Sequence, residues 1–235
     1  MKNKIDKNRK KELYNFFKIL KIRFKDIGLL NKALTHSSYA HEMYSNEEHN
    51  EKFEFLGDSL LSMLIVEYLF LNYKTLREGD LSKLKSYIVS EEVLYSIAGN
   101  IELNKFLLLG KGEEITGGRE KRSLISDALE GVIGAYYIDS GLKKCRALIL
   151  RLFKEVIEHN ITSDNIFDHK SELQKKIQKK YKSNPEYYLI EEDGPDHKKI
   201  FKVGVRLNSK VLGVGKGKNK RVAEKEAAKK ALENF

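Results

Sequence analysis

The stretch Asn50-Glu51-Lys52-Phe53-Glu54-Phe55-Leu56-Gly57-Asp58-Ser59-Leu60-Leu61 constrains this chain more than any other. It opens an apolar run, Phe53 to Leu71, in which Leu60, Leu61, Leu64, Ile65 and Tyr68 recur at helical spacing and mark a wide buried face. Glu51, Glu54 and Asp58 occupy its first two turns at i, i+3 and i+7, on one side of the helix. Carboxylates aligned this way repel one another, by roughly a few tenths of a kcal/mol per exposed pair, and apolar neighbours add a desolvation cost. Spacing alone leaves two readings open. First-turn acids complement the helix dipole, which accounts for Glu51 and Glu54. It accounts poorly for Asp58, two turns in and next to Gly57, a residue that lowers helix propensity by about 1 kcal/mol relative to Ala. The second reading is a bound divalent cation that removes the repulsion, with glycine admitting a close neighbour.

A second acidic pair, Asp127 and Glu130 in Ser126-Asp127-Ala128-Leu129-Glu130-Gly131, again sits at i, i+3 on a mostly apolar helix. Gly131 and Gly134 permit another helix to come near. Two such helices packed face to face bring Glu54, Asp58, Asp127 and Glu130 around one point. Four carboxylates without His or Cys nearby suit a hard ion such as Mg2+, with Mn2+ as a substitute. That ion is matched to phosphate chemistry.

The single cysteine, Cys145, excludes an internal disulfide and a thiolate cluster and fits a reducing cytoplasm. No apolar run reaches membrane-spanning length, so no membrane partner is expected. Charge is unevenly placed. Residues 1–25 carry ten Lys/Arg against two Asp/Glu (+8), residues 26–160 carry 16 against 21 (−5), and residues 161–235 carry 18 against 11 (+7). An acidic body flanked by basic ends suits a polyanion held by one part and cut by another.

In chain order, residues 1–12 read as a frayed polar start and Leu13 to Ile22 as a first amphipathic helix. His36, in Thr35-His36-Ser37-Ser38, reads as a hydrogen-bonding core residue rather than a proton carrier. Residues 41–50 form a loop, and Asp80 is a candidate N-cap for the helix after Gly79. Gly110-Lys111-Gly112 lacks the preceding strand and following Ser/Thr of a nucleotide loop, and the loop continues through Thr116-Gly117-Gly118-Arg119. Gly141 to Asn160 forms the last helix of a domain spanning 1–160, and 161–168 is a turn-rich linker. From 169 the pattern is α-β-β-β-α: a helix His169 to Tyr181, strands near 187–191, 200–207 and 210–214, a tight turn at Asn208-Ser209, and a final helix from Asn219 with an alanine face. Lys218, Lys220 and Arg221 crowd the start of that helix, where cations oppose the dipole. An anion docked on the free N–H groups resolves the conflict. Gly213, Gly215 and Gly217 lead into it and allow close backbone approach.

The run Glu51 to Leu61 resembles the signature motif of the ribonuclease III family. Ala33-Leu34-Thr35-His36-Ser37-Ser38-Tyr39-Ala40 and Ser126-Asp127-Ala128-Leu129-Glu130 match it in order and distance. The C-terminal module resembles the double-stranded RNA-binding domain through Gly194-Pro195-Asp196-His197 and Gly215 to Glu224, with Asn219 where that family usually has Ser. The resemblance implies an all-α endonuclease domain followed by a small α+β domain. It also implies a divalent-metal-dependent endoribonuclease that cuts double-stranded RNA to 5′-phosphate and 3′-hydroxyl ends, with roles in ribosomal RNA maturation and messenger RNA processing and decay. In that reading Glu54, Asp127 and Glu130 hold metal, and Asp58 completes the shell or orients water, so that Asp58 and Glu130 are the catalytic pair. Glu51 and Glu78 support the cleft, and Phe55 anchors a homodimer. Glu172, Gln174 and His197 reach minor grooves, while Lys218, Lys220 and Arg221 span phosphates. Two rivals are a non-catalytic duplex-RNA binder, whose mark would be lost carboxylates, and a structural Ca2+ protein, which leaves the C-terminal module unexplained.

Overall fold

The computed structural model describes residues 5–43, 49–162, 169–195 and 199–234. The chain falls into two compact units divided between residues 164 and 165.

Among the described residues the first unit is helical: α1 (Lys7–Leu20), α2 (Ile27–Ala33), α3 (Ser37–Glu42), α4 (Glu51–Asn72), α5 (Glu78–Ile88), α6 (Glu91–Asn100), α7 (Lys111–Ile115), α8 (Arg122–Ser140) and α9 (Leu142–Thr162), with 3-10 turns at Leu103–Phe106 and Gly118–Glu120. α1 starts earlier than the apolar pattern predicts. The Asp6 carboxylate accepts from the Arg9 N–H at 2.8 Å, and the buried Arg9 guanidinium donates to Asn31 and Glu12. This cap and the buried arginine order residues that read as frayed. α1 ends at Lys21, whose left-handed backbone (φ 49°) closes the helix before Ile22.

α4 and α8 cross at the centre of this unit, and glycine sets how near they come. A Cβ on Gly57 would overlap the carbonyl of Glu130, and a Cβ on Gly134 would overlap the carbonyl of Phe53. A Cβ on Gly131 would lie 3.3 Å from the Ala33 carbonyl oxygen and 3.4 Å from Asn50 Cβ. The close approach inferred from Gly57 and Gly134 is thus realised by the two acid-bearing helices themselves, while Gly131 admits the end of α2 and the residue before α4. Leu60, Leu61, Leu64 and Ile65 of α4 and Leu129, Val132 and Ile133 of α8 are buried in the surrounding core.

Two local readings change. Arg77, not Asp80, occupies the N-cap of α5, and Asp80 lies in its first turn. The glycine-rich segment after Leu109 folds into α7 and a 3-10 turn, because Arg119 donates to the Asn104 and Leu107 carbonyls and Lys121 pairs with Glu113. His36 is structural, as expected. Its Nδ1 accepts from the Ser38 N–H and lies 2.8 Å from Ser38 Oγ, which in turn accepts from the Gly110 N–H, and burial lowers its pKa.

The second unit runs α10 (His169–Tyr181), β1 (Glu186–Asp193), β2 (Ile200–Leu207), β3 (Lys210–Gly217) and α11 (Lys220–Glu233). The sheet is antiparallel in the order β1-β2-β3. Leu207 pairs with Lys210 across the Asn208-Ser209 turn, where Asn208 takes φ 53°. Leu173, Ile177, Val205, Ala227, Ala228 and Ala231 form the core. A Cβ on Gly213, Gly215 or Gly217 would strike the backbone of α11, so these glycines seat the strand on the alanine face rather than open the backbone to a ligand.

Replacing Gly57 by Ala gains about 1 kcal/mol of helix propensity but inserts a methyl against the Glu130 carbonyl. We expect a net loss of roughly 1–3 kcal/mol in thermal unfolding, together with loss of catalysis as α4 and α8 separate. An unchanged melting temperature would contradict the crossing.

Candidate metal centre and nucleic-acid interface

The crossing carries the acids with it. Glu54 projects from the first turn of α4, and Asp127 and Glu130 from the second and third turns of α8. The three carboxylates each offer an oxygen, and these oxygens lie within 4.8 Å of one another. All three residues are half-buried. Among the described residues no cation pairs with them. The charges acting on them are all negative: Asp127, Glu51 and Asp58 on Glu54, Glu91 on Asp127, and Asp58, Asp127 and Glu54 on Glu130.

Burial is the larger cause of the titration shifts and mutual repulsion the smaller. Together they raise the pKa of Glu54 and Asp127 and push that of Glu130 to about 8. Three half-buried carboxylates with no counterion are costly as anions. A hard divalent ion is the partner this oxygen-only donor set fits.

The other predicted acids take separate places. Asp58, one turn beyond Glu54, is exposed and outside the group of three, yet its charge acts on both Glu54 and Glu130. Glu51 is exposed, 3.9 Å from His49 Nδ1, and contributes charge to Glu54. Glu78 opens α5, accepts from Ser82 Oγ at 2.9 Å, and is not among the groups acting on the three carboxylates. Phe55 points outward and is 79% exposed.

Glu91 was missed by the sequence reading. It begins α6, its backbone carbonyl accepts from Ser126 Oγ at 3.1 Å, and its charge raises the pKa of Asp127. In sequence it is one of two acids after Ser90 and reads as an ordinary first-turn acid.

In the second unit, Asn219 caps α11 by accepting from the Val222 N–H at 2.9 Å. Lys218, Lys220 and Arg221 are exposed around that helix start and have no acidic partner among the described residues. Gln174 on α10 is exposed, with its amide 3.4 Å from Asn184 Oδ1, and Glu172 is partly buried two residues earlier in the same helix. His197 lies outside the described residues.

A helical unit centred on crossed, acid-bearing helices, followed by an α-β-β-β-α module, defines a nuclease with an attached RNA-binding domain. Comparison with known proteins agrees. Residues 26–156 match the ribonuclease-III-like family and residues 169–235 the double-stranded RNA binding motif. Ribonuclease 3 of Treponema denticola is 43% identical over 235 residues, covering 100% of this chain and 96% of that protein. Ribonuclease 3 of Caldanaerobacter subterraneus is 48% identical, covering 89% of this chain and 92% of that protein. The solved nuclease domain of ribonuclease III from Campylobacter jejuni, described for structural flexibility in a region involved in dimer formation, is 39% identical. It superposes with a TM-score of 0.57 over 61% of this chain and 96% of its own. The chain belongs to the ribonuclease III family. It is a double-stranded-RNA endoribonuclease of a family that depends on a divalent metal, and its three carboxylates could hold one.

A carboxyl whose pKa is raised on folding stabilises the protein only while protonated. For Glu130, with an ordinary value of 4.5 and a folded value of about 8, the folded state binds more protons than the unfolded state between those limits. Stability is therefore greatest below the lower value and falls as pH rises toward the upper one. We expect the melting temperature of metal-free protein to drop over this window, and the drop to shrink in Glu130→Gln or on adding Mg2+. A melting temperature that ignores pH in metal-free protein would contradict the shift.

Proposed function

We propose that Glu54, Asp127 and Glu130 hold Mg2+, with Mn2+ able to replace it, in an enzyme that cuts both strands of duplex RNA to 5′-phosphate and 3′-hydroxyl ends. The observation that carries this reading is the convergence of three half-buried carboxylates with no cation among the described residues to pair them. When bound, the ion supplies Lewis acidity, lowering the pKa of water and offsetting charge on the phosphodiester oxygens. The protein's part is positional. The glycine crossing fixes the carboxylates, Asp58 orients the attacking water or completes the ligand set beside Glu130, Glu51 adds negative charge beside Glu54, and Glu78 supports the cleft from the start of α5.

The division of labour follows the sequence boundaries: catalysis in 1–160, a linker at 161–168, and RNA binding in 169–235. Lys218, Lys220 and Arg221 meet phosphates at the start of α11, where the helix dipole favours an anion. Glu172, Gln174 and His197 reach the flanking minor grooves, so that selection is by duplex shape and 2′-hydroxyls. The working form is a homodimer. Phe55, Met63, Val66 and Phe70 form one stripe along α4, and Phe55 and Phe70 are 79% and 69% exposed. An apolar stripe of this kind on the face of α4 turned away from the core is suited to a second copy, which supplies a second centre for the opposite strand. No helix among the described residues is long and apolar enough to cross a membrane. The lone buried Cys145 fits a cytoplasmic setting, where ribosomal RNA maturation and messenger RNA processing and decay would supply duplex substrates.

Glu130→Ala should retain duplex binding and lose Mg2+-dependent cleavage by at least about a hundredfold, read on an end-labelled RNA duplex with a single strand as control. Cleavage at the native rate would sink the assignment. Phe55→Asp should convert the dimer to monomer in sedimentation velocity at micromolar concentration, and a stable dimer in that variant would remove Phe55 from the interface.

A further inference from the structure

The basic N-terminal stretch has no part in the carboxylate centre. Its last third instead walls an open groove of about 820 Å³, bounded by α1, the turn at 21–24, the end of α8 and the start of α9. That volume lies within the range of small-ligand sites. Lys18, Lys21, Arg23 and Lys144 line it and are exposed, and among the described residues no acidic side chain pairs with any of them. Tyr14 supplies one exposed aromatic wall, and Phe17, Phe24 and Tyr136 are buried behind it as an apolar floor. The ring of Tyr14 is 55% exposed and stands edge-on to Phe17, Phe17 stacks on Phe24 at 5.7 Å, and Phe24 meets Tyr136 at 5.2 Å.

The groove is held in shape by bonds that serve no other site described above. Asp139, buried near the end of α8, accepts from the N–H groups of Lys25 and Asp26 and from Ser140 Oγ. These bonds fasten the turn that carries Arg23 and Phe24. Arg151 of α9 donates to the Leu20 carbonyl at the end of α1. The cations therefore project from a fixed rim rather than from a loose tail.

We propose that this groove is a second ligand site, for a phosphorylated nucleotide whose base is unpaired. The ligand is either a free nucleoside phosphate or the terminal nucleotide of a single-stranded RNA end. Unpaired cations of one sign around a concave rim favour phosphate. The exposed Tyr14 ring beside them, over an apolar floor, favours a flat base, since every base presents a π face for stacking. A duplex hides those faces in its own stack and would leave the aromatic side of the groove unused. An acidic peptide would satisfy the cations and leave the Tyr14 ring unused as well.

The test is titration calorimetry on the full chain without divalent ions, using adenosine and guanosine 5′-diphosphates, a 5′-phosphorylated single-stranded trinucleotide, inorganic pyrophosphate and a hexaglutamate peptide. Lys21→Glu/Arg23→Glu should weaken nucleotide binding by about tenfold or more. Tyr14→Ser should weaken nucleotide binding by about fivefold or more while leaving pyrophosphate unaffected. Both variants alter exposed side chains outside the carboxylate centre, and retained Mg2+-dependent duplex cleavage reports their folding. Binding of the diphosphates and the trinucleotide supports the site for either source. Binding of the trinucleotide alone, lost in the double variant, supports it with an RNA end as the ligand. Pyrophosphate or hexaglutamate binding as tightly as the nucleotides would overturn the proposal. So would nucleotide binding that the double variant leaves intact, or no binding at millimolar ligand.

Discussion

The acidic cluster of this chain depends on two helix backbones touching. Side chains normally hold packed helices 8–10 Å apart. Here Gly57 and Gly134 remove them at reciprocal positions, so that each helix rests on the other's carbonyl oxygens. The consequence is electrostatic as well as steric. Carboxylates on adjacent faces of α4 and α8 come within one ion's reach of one another. Helices kept apart by alanine would leave them as two separate surface pairs. The apolar residues that bury the crossing also strip water from the acids.

That arrangement stores an unfavourable charge state. Burial and mutual repulsion hold protons on the cluster, most strongly on Glu130. A divalent cation reverses both effects, because it replaces the missing hydration and neutralises the repulsion. The site is thus organised by folding and made comfortable only by its ligand. The same logic governs α11 in the other unit, where Lys218, Lys220 and Arg221 gather at a helix start that already carries positive partial charge. Among the described residues, the carboxylate cluster and the start of α11 each keep unpaired charge of one sign, negative at the proposed metal site and positive at the proposed phosphate site.

Much of this was legible in the sequence because the relevant signals are local and periodic. Helical spacing placed Glu54 and Asp58 on one face of α4, and the glycines at 57, 131 and 134 announced the close approach. Strict alternation in β2 and the alanine face of α11 defined the second unit, and Asn219 caps α11 as expected. The failures came where distant side chains decide a local outcome. α1 begins at Lys7 because Arg9 is tied to Asn31 of the next helix. The segment after Leu109 folds because Arg119 reaches back to the Asn104 and Leu107 carbonyls. Glu91 joins the acidic centre only through packing of α6 on α8, and Gly213, Gly215 and Gly217 serve α11 rather than a ligand. None of these pairings leaves a periodic trace.

The most direct test of the account is anomalous diffraction from crystals of the protein grown with Mn2+. The predicted result is a peak between Glu54, Asp127 and Glu130, with carboxylate oxygens about 2.0–2.3 Å away and the α4–α8 crossing unchanged. A fully ordered cluster with no peak at millimolar Mn2+, or a peak held by other residues, would contradict the claim that the glycine crossing exists to build a cation site.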